Sequence, residues 1–125
     1  MPFQVEGLDH VALGVADPGA QESWYTDVLG LRREFADAWG EIPVALMAGG
    51  SGLALFNSGA NEQDGGLRHI AFRVDRGNFA AAQDDFRARG IPFELEDHDV
   101  AHSIYFEGPA GLRLELTTYE LRSSP

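Results

Sequence analysis

Gly7-Leu8-Asp9-His10-Val11-Ala12-Leu13-Gly14-Val15 returns 59 residues later as Gly66-Leu67-Arg68-His69-Ile70-Ala71-Phe72-Arg73-Val74, with five of the nine positions identical. The changes Val11 to Ile70 and Leu13 to Phe72 keep apolar character, and a histidine holds the same place in both copies. The same offset relates Gly52-Leu53-Ala54-Leu55-Phe56 to Gly111-Leu112-Arg113-Leu114-Glu115. The chain therefore reads as two copies of one unit. Where the copies differ matters most for function: Phe56 in the first answers to Glu115 in the second.

Working outward, Leu8 to Val15 alternates with the period of a half-buried strand. Asp17-Pro18 then supplies a side-chain cap and a proline at the first helical position. This predicts a helix to about Leu29 that buries Ala20, Trp24, Val28 and Tyr25 and stops at Gly30. Strands are expected near Arg33 to Ala38, Ile42 to Ala48 and Leu53 to Asn57, with turns at Trp39-Gly40 and Gly49-Gly50-Ser51-Gly52. The polar, glycine-bearing stretch Ser58 to Gly65 marks the boundary between units. The pattern then restarts: a strand at Leu67 to Val74 and a helix near Asn78 to Arg89, with Phe79, Ala82 and Phe86 on one face and Gly90 as its stop. Strands at Pro92 to Leu95, Ser103 to Phe106 and Leu112 to Thr118 complete it. The fold class expected is α+β, a single domain over residues 1–125. It consists of two tandem βαβββ modules, about 7–57 and 66–118, whose mixed sheet curves around a metal cleft.

The 125 residues carry 44% hydrophobic side chains, enough for one core but little for each half alone, so a homodimer is expected. The net charge of −11 argues against a nucleic-acid partner, whose affinity comes mainly from Lys and Arg. With no cysteine, the chain has no disulfide, thiolate ligand or cysteine nucleophile, so any metal must be held by imidazole and carboxylate. No apolar run approaches the ~18 residues of a membrane span. The start Met1-Pro2-Phe3-Gln4-Val5-Glu6 has no basic signal-peptide character, so a cytoplasmic protein is expected.

Strand parity assigns the faces. Val11, Leu13 and Val15, then Ile70, Phe72 and Val74, then Leu112, Leu114 and Leu116 point to the helices. His10, His69 and Glu115 then share the helix-free face. Two neutral imidazoles and one carboxylate, with no fourth protein ligand, suit Fe(II) or Mn(II), and also Zn(II) or Ni(II), with positions left open for substrate.

With its βαβββ repeat, its openings Leu8-Asp9-His10-Val11-Ala12-Leu13 and Leu67-Arg68-His69-Ile70-Ala71-Phe72, the helix end Trp24 to Leu31, and Gly108 to Glu115, the chain resembles the vicinal oxygen chelate superfamily. This group includes glyoxalase I, extradiol dioxygenases, and fosfomycin- and bleomycin-resistance proteins. The resemblance implies a metal site of His10, His69 and Glu115 and a small-molecule substrate. It also implies a homodimer whose metal ligands come from one chain or from two. Glyoxalase I places a second glutamate where this chain has Phe56. Fosfomycin-resistance enzymes have a threonine where Ala12 stands. Bleomycin-resistance proteins, acidic drug-binding dimers, generally lack the triad.

The second half is most similar to extradiol dioxygenases: His98, Ile104-Tyr105, Pro109-Ala110-Gly111 and Glu115 follow their signature. That similarity implies a catalytic pair, Tyr105 donating a hydrogen bond to a bound hydroxyl and His98 behind it, with Phe56 and Ser103 touching substrate. The acid-base histidine of the two-domain enzymes corresponds to Ala54, so proton transfer needs another carrier. The expected function is an extradiol-type dioxygenase acting on a small aromatic or enolisable substrate. The alternatives are a glyoxalase-like lyase or isomerase and a non-catalytic small-molecule binder.

Overall fold

The computed structural model describes residues 2–57 and 67–121. The elements run β1 (Gly7–Val15), α1 (Pro18–Leu29), β2 (Arg32–Glu34), α2 (Ala36–Trp39), β3 (Val44–Ala48), β4 (Ser51–Asn57), β5 (Leu67–Arg73), α3 (Arg76–Arg89), β6 (Glu94–Asp97), β7 (His102–Glu107) and β8 (Arg113–Thr118). The fold is α+β, with strand order β2-β3-β4-β1-β5-β8-β7-β6. Two compact units are distinguished, Asp9–His69 and the chain from Ile70 onward together with the segment before Asp9. The boundary stretch expected at Ser58 to Gly65 lies outside the described residues.

In the first unit β1 pairs in parallel with β4, and β3 pairs antiparallel with both β4 and β2. Val15, Val44, Leu46 and Leu55 form its core, with Leu13, Tyr25, Leu31 and Leu53 packed against them. Asp17 caps α1 by accepting from the Ala20 amide at 3.1 Å, and Gly30 ends it in the left-handed region at φ 71°. Both termini match the sequence reading, but of the expected buried face only Tyr25 turns to the core. Ala20 is exposed, Trp24 is 54% and Val28 58% exposed, and the inward stripe is Pro18, Gln21, Glu22 and Tyr25. On this stripe Glu22 accepts from the Arg33 guanidinium at 3.0 Å.

The strand expected over Arg33 to Ala38 stops at Glu34. Phe35 takes a left-handed φ of 62°, and its ring packs on Trp39 with centroids 4.8 Å apart. That four-residue spacing favours a helical turn over a strand.

In the second unit β5 runs parallel to β8, and β7 pairs antiparallel with β8 and β6. The anticipated face of α3 is buried: Phe79, Ala82 and Phe86 join Val74, Ile104 and Leu116 in the core. The helix begins earlier than Asn78, because Asp75 is the cap and accepts from the Asn78 amide at 2.8 Å. Strand β6 starts at Glu94 rather than Pro92; proline has no amide to give a ladder, and Phe93 turns to the core instead. The opening segment joins this unit, since Gln4 donates to Asn78, Glu6 donates to the Arg73 carbonyl, and Phe3 meets Phe86 edge-on. Among the described residues, no helix is long and apolar enough to cross a membrane.

Candidate metal centre

In the first unit the register sets His10 beside Gly52, Ala12 beside Ala54 and Gly14 beside Phe56. These residues share one face, and Ala45 and Met47 extend it onto β3. On β1, β3 and β4 this surface carries His10 as its titratable group, and Arg32 and Glu34 of β2, opposite Met47 and Ala45, bound it. Gly52, the partner of His10, permits the close approach of β3, since a Cβ there would collide with the Leu46 carbonyl and the Met47 sulfur. The His10 and His69 rings meet edge to face with centroids 5.5 Å apart, and the Phe56 ring lies 6.4 Å from His69. Asp9 is fully buried, and its Oδ2 lies 2.7 Å from His10 Nδ1. A carboxylate only accepts, so Nδ1 carries the proton and Nε2 is left as the acceptor of the ring. This is how a carboxylate prepares a histidine for a metal ion.

In the second unit Glu115 is 1% exposed, at the centre of a polar network. Ser103, fully buried, donates to Glu115 Oε2 at 2.6 Å and lies 3.1 Å from Thr117 Oγ1. Serine has one hydroxyl proton, so Thr117 donates in the second contact and the two hydroxyls form a chain ending on the carboxylate. Tyr105 stands opposite Glu115 in the register, and its hydroxyl meets His98 Nε2 at 2.9 Å. Burial, followed by the nearby Glu115 charge, pushes the phenol well above its ordinary value. Tyr105 therefore remains protonated and acts as a hydrogen-bond donor.

His10, His69 and Glu115 each offer one ligand atom, and these atoms lie within 4.8 Å of one another. The donor set fits a divalent ion: imidazole nitrogen and carboxylate oxygen serve Fe, Mn, Zn and Ni alike. A carboxylate buried as deeply as Glu115 also calls for a compensating cation or several donors.

The sequence model of the Glyoxalase/Bleomycin resistance protein/Dioxygenase superfamily matches residues 7–116. The chain belongs to this superfamily. Members of the glyoxalase superfamily use divalent metals, in keeping with the His–His–Glu set. Methylmalonyl-CoA epimerase from Mycobacterium tuberculosis superposes with a TM-score of 0.72 at 23% identity, covering 95% of this chain and 91% of that one. A Streptomyces coelicolor methylmalonyl-CoA epimerase in complex with 2-nitronate-propionyl-CoA gives 0.69 at 21%, covering 94% and 100%. A catechol 2,3-dioxygenase gives 0.72 at 18%, covering 93% of this chain and 42% of that one. At these identities the likeness is one of fold. No curated protein sequence matches the chain.

Of the expected site residues, His10, His69 and Glu115 come together, Phe56 sits beside His69, and His98 meets Tyr105. Ser103, expected to touch substrate, donates its hydroxyl to Glu115. Asp9 and Thr117 went unnoticed in the sequence. Asp9 flanks the first histidine, but its counterpart in the second copy is Arg68, so the repeat gave no signal for it.

Proposed function

We propose that this protein is a divalent-metal enzyme of extradiol type, opening the ring of a small catechol with molecular oxygen. The observation that carries the reading is the Tyr105–His98 pair at 2.9 Å, with Tyr105 opposite Glu115. A divalent ion held by His10, His69 and Glu115 supplies Lewis acidity and, as Fe(II), an electron source for oxygen. The chain's own residues do the rest. Asp9 fixes the His10 tautomer, and the Thr117–Ser103 chain holds the Glu115 carboxylate in one orientation. Tyr105, kept protonated, donates to a substrate oxygen, and His98 Nε2, 2.9 Å from its hydroxyl, orients it. Phe56 gives an aromatic ring an apolar neighbour.

A second reading, an isomerase that moves a proton next to a carbonyl, is favoured by the two epimerase structures. Epimerisation needs proton carriers on both sides of a carbon; beside His10, Ala12, Ala45, Ala54 and Phe56 carry none, and the carboxylate of this face is Glu34, opposite Ala45 on the outer strand. The test is oxygen uptake by anaerobically iron-loaded protein with a panel of catechols, alongside methylmalonyl-CoA in deuterated water. Stoichiometric uptake with a ring-opened product is expected. Deuterium exchange without oxygen uptake would transfer support to the isomerase, and neither reaction would leave a binding protein.

A further inference from the structure

The second unit also contains an open cavity of about 430 Å³, within the range of small-ligand sites. Its charged lining is Glu94, Glu107 and Arg113 around Tyr105, while the rings of Phe93 and Phe106 behind it pack on Phe86 in the core. The strand registers fix this grouping: Glu94 faces Tyr105, Glu107 faces Arg113, and Tyr105 faces Glu115. The Arg113 guanidinium lies over the Tyr105 ring, 4.6 Å from its centre. Among the described residues, neither Arg113 nor the two glutamates forms an ion pair or hydrogen bond through its side chain. Three charges of mixed sign thus line one cavity without neutralising one another.

A simple anion in this cavity would meet two carboxylates, and a simple cation would meet Arg113. A ligand with both charges satisfies all three. We propose that the cavity binds the aminocarboxylate end of a zwitterionic aromatic substrate, with Arg113 taking the carboxylate and Glu94 and Glu107 the ammonium. Arginine binds a carboxylate through two parallel hydrogen bonds, and its stacking on Tyr105 fixes the direction of the fork. The ring of such a ligand would extend past Tyr105 toward Glu115. This last orientation rests on the metal chemistry proposed above; occupancy of the cavity does not.

The experiment is calorimetric titration of metal-free protein with 3,4-dihydroxyphenylalanine, with dopamine, which lacks the carboxylate, and with 3,4-dihydroxyphenylpropionate, which lacks the amine. The zwitterion is expected to bind at least about tenfold more tightly than either, as one added charge-assisted contact implies. Arg113→Gln should bring its affinity down to that of dopamine, and Glu94→Gln with Glu107→Gln should bring it down to that of the propionate. Equal binding of the three compounds, no binding of any, or an unchanged zwitterion affinity in Arg113→Gln overturns the proposal. Oxygen uptake by iron-loaded protein is scored separately. A charge preference without uptake therefore sinks only the dioxygenase reading, and uptake without a charge preference sinks only this one.

Discussion

Replacing Ser103 by alanine removes one oxygen atom from a fully buried position and should weaken metal binding without emptying the site. The lost contact is a 2.6 Å hydrogen bond to a carboxylate that is 1% exposed, so water cannot take its place. Hydrogen bonds to charged groups contribute about 1.5–3 kcal/mol. At about 1.4 kcal/mol per decade, the divalent-ion affinity should fall roughly 10- to 100-fold, which is also what losing a partner of a metal ligand typically costs. Competition against a chromophoric chelator measures this directly. Ser23→Ala is the matched control, since that hydroxyl is exposed and only 3.5 Å from the Gly19 carbonyl, and it should change nothing. An affinity within twofold of the parent in Ser103→Ala would refute the idea that Ser103 holds Glu115 for an ion.

Further expectations follow from neighbouring groups. Asp9→Ala should lower metal affinity by about 10–100-fold by releasing the His10 tautomer, read in the same competition assay. Glu115→Ala should abolish metal retention, whereas Phe56→Ala should leave the metal content measured by elemental analysis unchanged and alter which aromatic ligands bind. The Tyr105 phenol, raised in the folded state, should remain protonated past pH 11, so Tyr105→Phe should remove none of the 295 nm absorbance that develops below that pH. Because the unfolded chain ionises near 10 while the folded one does not, stability from this group is intact below pH 10. Above it, up to about 1.4 kcal/mol is lost per pH unit, and denaturant melts of Tyr105→Phe should lack that part of the slope. Sedimentation equilibrium should give twice the 13.6 kDa chain mass, with Trp24, Val28 and Leu29 offering exposed apolar surface for such an assembly.

The duplicated opening made most of the architecture readable. An offset of 59 residues put His10 and His69 at equivalent points, and alternation along the last strand put Glu115 on their face. Asp17, Gly30 and Gly90 were readable as helix ends because aspartate and glycine act locally, whereas Asp75, the cap of α3, was not. Periodicity failed where side chains meet partners it does not register. The inward stripe of α1 holds Glu22, paired with Arg33, in place of Trp24 and Val28, and Phe35 packs on Trp39 across a helical turn where a strand was expected. The positioning shell was hidden for a related reason. Ser103 meets Glu115 only through the β7–β8 register, and nothing in the spacing of serine and glutamate announces that pairing.

The unequal burial of the two helices bears on how an ion would enter. Helix α3 sinks two phenylalanines into its core, whereas α1 fully buries only Pro18. Thinner cores open more often, so amide protons of β3 and β4 should trade with deuterium sooner than those of β7 and β8. Both imidazoles belong to the unit with the thinner core. Loading would then be paced by backbone fluctuations around the histidines, and a captured ion would damp the motion that admitted it.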